Sequence, residues 1–287
     1  MRRWWMAGLL TILVPGLGQT YNGQIRKGAF FLFGLYAVYI PASIWFALRF
    51  PSFAMYLALA SGFVTIVLVM VGDAILSARR IGDQFIPKFY NRVSVYLIVI
   101  IVFSLSSTAL GDSIREYWIQ AYKISSGSMA MEPALLPGDH IFIKKRPVSI
   151  HRGDIVVYEF PEDPSKDFIH RLIGLAGDVV EIRDKKLLIN GRSIEEPYIR
   201  FSDGKSTDNT VQARDNMPAI SVPEGMIFVL GDNRDRSYDS RFWGVVERGK
   251  VRGIARSIYF SWDRDNMRVR WSRIGMPPRE YGTGTAP

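Results

Sequence analysis

The 287-residue sequence contains no cysteine. That excludes a disulfide framework, a thiol nucleophile and any cysteine-based metal site. Histidine is scarce as well: His140, His151 and His170 are the only three, and no His-Glu-x-x-His occurs. The pattern of a zinc metalloprotease is therefore missing, and no metal and no cofactor is expected. No helix-turn-helix, finger or ribonucleoprotein pattern accompanies the net charge of +9, so nucleic acid is not the expected partner. A further shortage is local. Charge is absent from three apolar blocks early in the chain, Ala29–Leu48, Phe53–Val71 and Val93–Gly111.

Each block is about 20 residues, which at roughly 1.5 Å per residue spans a hydrocarbon core of about 30 Å. Buried helices of a large soluble protein share this composition. Three uncharged blocks, each flanked by Arg or Lys, read instead as transmembrane helices. Trp4–Val14 is apolar but short, and Pro15-Gly16-Leu17-Gly18 breaks it. Arg2 and Arg3 precede it as in a cleaved signal peptide, but no clean small-x-small site comes after it. The segment is expected to be interfacial or re-entrant.

Basic residues set the orientation. Arg2, Arg3, Arg26 and Lys27 precede the first span, and Arg79, Arg80, Lys88 and Arg92 lie between the second and third. Placing both clusters in the cytoplasm, against anionic lipid, sends everything after Gly111 to the extracytoplasmic side. Arg49, in the short outer turn, is the one dissenting charge.

Beyond Gly111 the texture changes. Asp112–Tyr122 either extends the third helix or links it to the rest of the chain. From Lys123 the chain reads as short β-runs: His140–Ile143, Asp154–Phe160, Phe168–Leu172, Val179–Arg183, Leu187–Ile189, Met226–Leu230 and Ser257–Phe260. Gly-Asp, Asn-Gly and Pro-rich turns separate them, as in an antiparallel β domain. Asn190-Gly191 is placed for a two-residue hairpin turn. Ser202–Met217 is polar and reads as a surface excursion. The expected organisation is a membrane anchor over 1–111, a mainly antiparallel β catalytic domain over 112–276 and a disordered tail over 277–287.

Three local patterns carry chemistry. The first is Ser125-Ser126-Gly127-Ser128-Met129, followed by Glu132-Pro133 and Leu136-Pro137-Gly138-Asp139. The second is Asp167-Phe168-Ile169-His170-Arg171-Leu172-Ile173-Gly174, with Gly177-Asp178 after it. The third is Gly231-Asp232-Asn233-Arg234-Asp235-Arg236-Ser237-Tyr238-Asp239-Ser240-Arg241-Phe242-Trp243-Gly244. Singly, each has a bland reading: a turn, a structural histidine at a strand edge, a solvated loop. In this order, beyond a membrane anchor, they resemble the bacterial type I signal peptidases, serine proteases of the S26 family. The resemblance runs from about Lys123 to Gly275.

That family implies a β-rich fold cleaving signal peptides of exported preproteins after small residues, with a Ser nucleophile and usually a Lys base. Its Ser-x-Ser-Met-x-Pro pattern implies Ser128 as nucleophile and Ser126 as an oxyanion donor. The sequence departs from the pattern twice. Ala130-Met131 stand between Ser-Met and Glu-Pro. A register counted back from Pro133 puts Ala130 at the nucleophile position, which would leave the protein inactive. The Ser128 register is preferred because it keeps Ser126-Gly127-Ser128-Met129 whole. The second departure is His170, which occupies the place of the Lys base. A Lys must be depressed by about 3 pH units to serve as base near neutrality, whereas a His starts near 6.5. A His170 base would give an acid limb near pH 6 to 7. Asp239 is the candidate to orient its ring and stabilise the imidazolium. Ser237 is implied as a positioning group, and Asp232 as a structural partner of Arg171. Three functions stay open: an active signal peptidase, a catalytically dead homologue that binds exported segments or serves as a membrane scaffold, or a narrower protease of the same superfamily that processes one dedicated partner. Upstream, Val14-Pro15-Gly16-Leu17-Gly18-Gln19, Tyr21-Asn22-Gly23-Gln24 and Lys27-Gly28 look like small modules of bacterial membrane proteins, with glycines placed for helix packing.

Overall fold

A computed structural model describes residues 3–50, 52–81, 85–125, 131–145, 149–202 and 214–278. The chain divides into two compact units, Met1–Ile114 and Arg115–Pro287.

The first unit is helical. Helix α1 is Trp4–Leu13 and α2 is Leu17–Tyr21. Next come α3 (Ile25–Phe33), a π-helical stretch Gly34–Tyr39 and α4 (Ile40–Arg49). Helix α5 spans Phe53–Arg80 and α6 spans Val93–Tyr117. Among the described residues, three helices are long and apolar enough to cross a membrane: Ile25–Ala47, Phe53–Arg80 and Val93–Tyr117. Two outlast the uncharged blocks. Helix α5 runs on past Val71 and carries Asp73, whose charge is matched by Lys27 at 2.5 Å and by the Gln19 amide at 3.1 Å. A carboxylate near the end of a span is tolerated because it is paired and hydrogen-bonded. Trp4–Leu13 folds as a ten-residue helix whose buried Ala7 joins Ala74 and Ala78 of α5 in one apolar cluster. The glycines of the upstream module bring backbone against backbone. A Cβ at Gly16 would collide with the Gly28 carbonyl oxygen, and one at Gly28 with that of Gly16. Gly16 also sits at φ +85°, which favours glycine.

The second unit is antiparallel β. Strands β1 (Ile119–Lys123), β2 (Asp139–Lys144), β3 (Ile155–Phe160) and β4 (Asp163–Leu175) come first. They are followed by β5 (Val179–Arg183), β6 (Lys186–Ile189), β7 (Arg192–Ser193) and β8 (Met217–Ser221). The last four are β9 (Met226–Leu230), β10 (Val246–Glu247), β11 (Val251–Asp263) and β12 (Arg268–Val269). One sheet has the order β1-β2-β11-β3-β4-β9-β10, with β12 on β11; a smaller one has the order β7-β6-β5-β8. Asn190 and Gly191 both take positive φ, 53° and 75°, and close the hairpin in which Ile189 faces Arg192. That is the geometry of a primed two-residue turn.

All seven β-runs expected from the sequence are strands, several of them longer. β1, β8 and the two-residue β7, β10 and β12 have no counterpart among those runs. β1 and β8 are edge strands with mostly half-buried or exposed residues, so neither shows the apolar alternation that marks a strand buried on one face. The polar stretch Ser202–Met217 is not uniformly a surface excursion: Arg214 and Met217, at its end, are buried. Residues 203–213 of the stretch lie outside the described residues, as does the expected tail from residue 279 onward.

Candidate active site

The second and third sequence patterns meet at the pairing of β3, β4 and β9. In β4 the burial switches from an exposed start to a buried run at His170–Gly174. His170 and Arg171 are adjacent and so project to opposite faces. β3 runs beside β4 with Val156 opposite His170 and Tyr158 opposite Phe168. Tyr158 is thus a diagonal neighbour of His170 on one face of the sheet, within reach of a long side chain. On the other side, β9 pairs Leu230 with Arg171, so the segment that leaves β9 at Gly231 starts next to the histidine strand.

That segment is held in a closed turn by its own carboxylate. Asp239 accepts the Gly231 N–H at 3.0 Å, spanning the turn between them. It also caps the one-turn helix Ser240–Trp243 through the Arg241 N–H at 3.2 Å. The turn brings Ser237 Oγ to 3.2 Å from His170 Nε2. The other ring nitrogen, Nδ1, is 2.6 Å from the Tyr158 hydroxyl. Phe168 stands edge-on to the imidazole with ring centroids 6.1 Å apart. The aromatic surround leaves His170 only 3% exposed.

Burial dominates the electrostatics of the ring. It pushes the His170 imidazole down to about 4, with Asp239 pulling it up and Arg241 pressing it further down. Burial alone would raise the Asp239 carboxyl, but Arg241, His170 and the Gly231 N–H hold it below the usual carboxylate range. Burial and the nearby Asp239 charge push the Tyr158 phenol up, so it stays neutral. At neutral pH the site therefore holds an uncharged imidazole between two hydroxyls, with an ionised carboxylate and a guanidinium behind it.

On the opposite face Arg171 and Asp232 form a two-pronged pair, Nε to Oδ1 at 2.8 Å and Nη2 to Oδ2 at 2.6 Å, both about 1% exposed. Arg171 also donates to the Gly153 carbonyl at 2.8 Å, and its guanidinium lies 4.0 Å from the Tyr198 ring centroid. Arg234 of the same turn donates to Glu196 and to the Gly231 carbonyl. These contacts brace the turn that carries Ser237 and Asp239.

A family model described as signal peptidase, peptidase S26, matches residues 93–262, more than half of the chain. The chain belongs to that family. It is a serine peptidase by that membership, and its three motifs and all strands but β12 and the last residue of β11 fall within the matched residues. Signal peptidase I of Aquifex aeolicus is 36% identical over 202 residues, which cover 52% of this chain and 78% of the relative. Signal peptidase I of Bacillus licheniformis is 33% identical over 154 residues, covering 52% and 81%. A crystal structure of a signal peptidase I from Enterococcus faecalis is 38% identical, covers 37% of this chain and 97% of its own, and superposes with a TM-score of 0.32.

Within this family site, the structure corrects two expectations. Asp239 does not orient the imidazole by direct contact. Its oxygens are taken by Arg241, at 2.8 Å on each, and by the Gly231 N–H. The group hydrogen-bonded to Nδ1 is the Tyr158 hydroxyl instead, and Asp239 acts on the ring through its field. Nor does His170 stay near its ordinary value, because the sheet and the aromatic rings strip it of water. Tyr158 was invisible in the sequence because its relation to His170 depends on strand register across twelve residues. Lys166, the basic residue four positions before His170, lies on the exposed start of β4 and pairs with Asp163 at 2.7 Å. Ser126, Ser128 and Ala130 lie outside the described residues. The flanking Ser125 and Glu132 border an open cleft of about 840 Å³ that His140 also lines and that His170 does not. Among the described residues no cluster of His, Asp or Glu is arranged to hold a metal ion.

Proposed function

We propose that the chain is a membrane-bound endopeptidase that removes signal peptides from exported preproteins after small residues, with Ser128 as nucleophile and His170 as general base. The observation that carries this reading is the buried imidazole, neutral at physiological pH, whose Nε2 faces the hydroxyl of Ser237 from the family's Gly-Asp-Asn-Arg-Asp run. A neutral Nε2 can accept a proton from an attacking hydroxyl; a protonated one cannot.

In the proposed reaction Ser128 Oγ attacks the scissile carbonyl carbon and its proton passes to His170 Nε2. The carbonyl oxygen becomes an oxyanion, met by the Ser126 hydroxyl and the Ser128 N–H. The imidazolium then gives its proton to the leaving amine, and water repeats the sequence on the acyl-enzyme. Forming an imidazolium in so dry a place is disfavoured, and the Asp239 field offsets part of that penalty. Arg171 and Asp232 hold the strand and turn in register. No cofactor takes part. Signal peptides are the expected partners, with anionic lipid against the basic cytoplasmic segments and no role for nucleic acid. The two basic clusters orient the chain in the cytoplasmic membrane with the β unit on the extracytoplasmic side.

One observation favours a second reading, a catalytically inactive homologue that binds exported segments or serves as a scaffold. Both ring nitrogens of His170 are hydrogen-bonded within the fold, as those of a structural histidine are. Cleavage of a preprotein separates the two. Ser128→Ala should abolish it with the fold intact, and Ser126→Ala should slow it by about 3 kcal/mol of transition-state stabilisation, the loss of one oxyanion donor. Wild-type turnover in Ser128→Ala removes that residue from the mechanism, and a gain of activity in Ala130→Ser supports the register with Ala130 at the nucleophile position.

A further inference from the structure

A His that takes a proton at Nε2 must already carry one at Nδ1, and that Nδ1–H needs an acceptor when the ring is buried. In a Ser-His-Asp triad the acceptor is a carboxylate. Here the carboxylate nearest the ring, Asp239, is engaged by Arg241 and the Gly231 N–H. The group in place at Nδ1 is a phenol oxygen, 2.6 Å away on a fully buried side chain.

We propose that Tyr158 is the positioning residue of the base, its hydroxyl accepting the Nδ1–H of His170 so that Nε2 is left bare toward the nucleophile. The proposal rests on reading His170 as the base. Register supports it: β3 and β4 carry Tyr158 and His170 on one face, and Trp243 packs on the Tyr158 ring with centroids 6.0 Å apart, holding it there. The alternative arrangement has the phenol donating to Nδ1. Nε2 would then carry the hydrogen and point it at Ser237 Oγ, and the ring could not act as a base. The titratable and charged groups facing the ring are Tyr158 from β3, and Asp239 and Arg241 from the segment after β9. Arg241 has no acceptor, and both Asp239 oxygens are engaged by Arg241 and the Gly231 N–H. The phenol is therefore the only one of the three that can take the ring hydrogen directly. A neutral acceptor stabilises an imidazolium less than a carboxylate does, which agrees with the low value to which burial drives this imidazole.

The test uses the full chain in lipid nanodiscs with ¹⁵N-labelled histidine; three histidines make assignment by single substitution direct. At pH 7 the His170 ring should show Nδ1 protonated and Nε2 bare. Tyr158→Phe should collapse that preference and lower kcat about 10- to 100-fold, the size of one buried hydrogen bond. KM should be unchanged, and the acid limb of kcat/KM should move to lower pH because the imidazolium loses an acceptor. A residue that only fills space would leave the tautomer and the limb where they are. A wild-type ring protonated at Nε2 overturns the proposal, whatever Tyr158→Phe does to folding. Full activity of Tyr158→Phe beside an inactive His170→Ala overturns the role given to Tyr158 alone. Full activity of His170→Ala overturns the base reading itself.

Discussion

Acidification should destabilise the β unit in part through His170, and the size of that part comes from the burial of its imidazole. The folded-state value of its imidazole is about 4, against 6.5 for an exposed one. Between those values the unfolded chain binds a proton that the folded chain refuses, so stability rises with pH across this window. The contribution is fully present above pH 6.5 and is lost progressively as pH falls toward 4. At about 1.4 kcal/mol per pH unit, the full window is worth about 3 kcal/mol. His170→Gln removes the titration while keeping an amide that can meet both hydroxyls. The assay is thermal or denaturant unfolding of wild type and His170→Gln, each measured from pH 7 down to pH 4. Carboxylates titrate in both proteins and cancel in the difference. The wild type should lose about 3 kcal/mol relative to the variant across the range. Parallel curves would refute the reasoning, because they would mean that the ring is hydrated in the folded protein.

The same burial puts the acid limb of kcat/KM near pH 4 and not in the ordinary histidine range; a limb at pH 6 to 7 would show a wetter site in the working enzyme. Asp232→Asn should cost about 3 to 5 kcal/mol of stability, because Arg171 would keep a buried charge with no counter-charge; equilibrium unfolding measures it, and a change under 1 kcal/mol would contradict the pair's burial. A reporter fused after Gly111 should be active only outside the cytoplasm, and one fused within residues 82–92 only inside. The opposite pattern at either point would reverse the orientation drawn from the basic clusters.

Much of the architecture was legible in the linear chain because its causes are local. A block of about 20 uncharged apolar residues declares a span without reference to the rest of the chain. Asn190-Gly191 declares a hairpin because both positions need positive φ, which those residues accept at low cost. The spacing of Gly231, Asp232, Asn233, Arg234, Asp235 and Ser237 is one chain segment, so the family it belongs to could be read directly. Edge strands escaped notice. β1 and β8 are held by hydrogen bonds to one neighbour and bury too little to impose an apolar pattern on their residues.

The sequence by itself determined the three long apolar helices, the antiparallel β character, the family and the choice of His170 as the candidate base. Tertiary structure alone decided the surroundings of that residue. Whether a histidine is wet or dry depends on the rings that close over it, and Tyr158 and Phe168 come from different strands. Which group meets Nδ1 depends on register: Tyr158 faces His170 because β3 and β4 pair with Val156 opposite the histidine. A slip of one residue would have turned the phenol to the other face. Asp239 looked free to serve the ring as long as Arg241 was only its neighbour in sequence. In the folded chain the helical turn at Ser240–Trp243 swings that guanidinium back onto the carboxylate. Hydrogen-bond partners are set by direction and distance in space, and residue order along a chain carries neither.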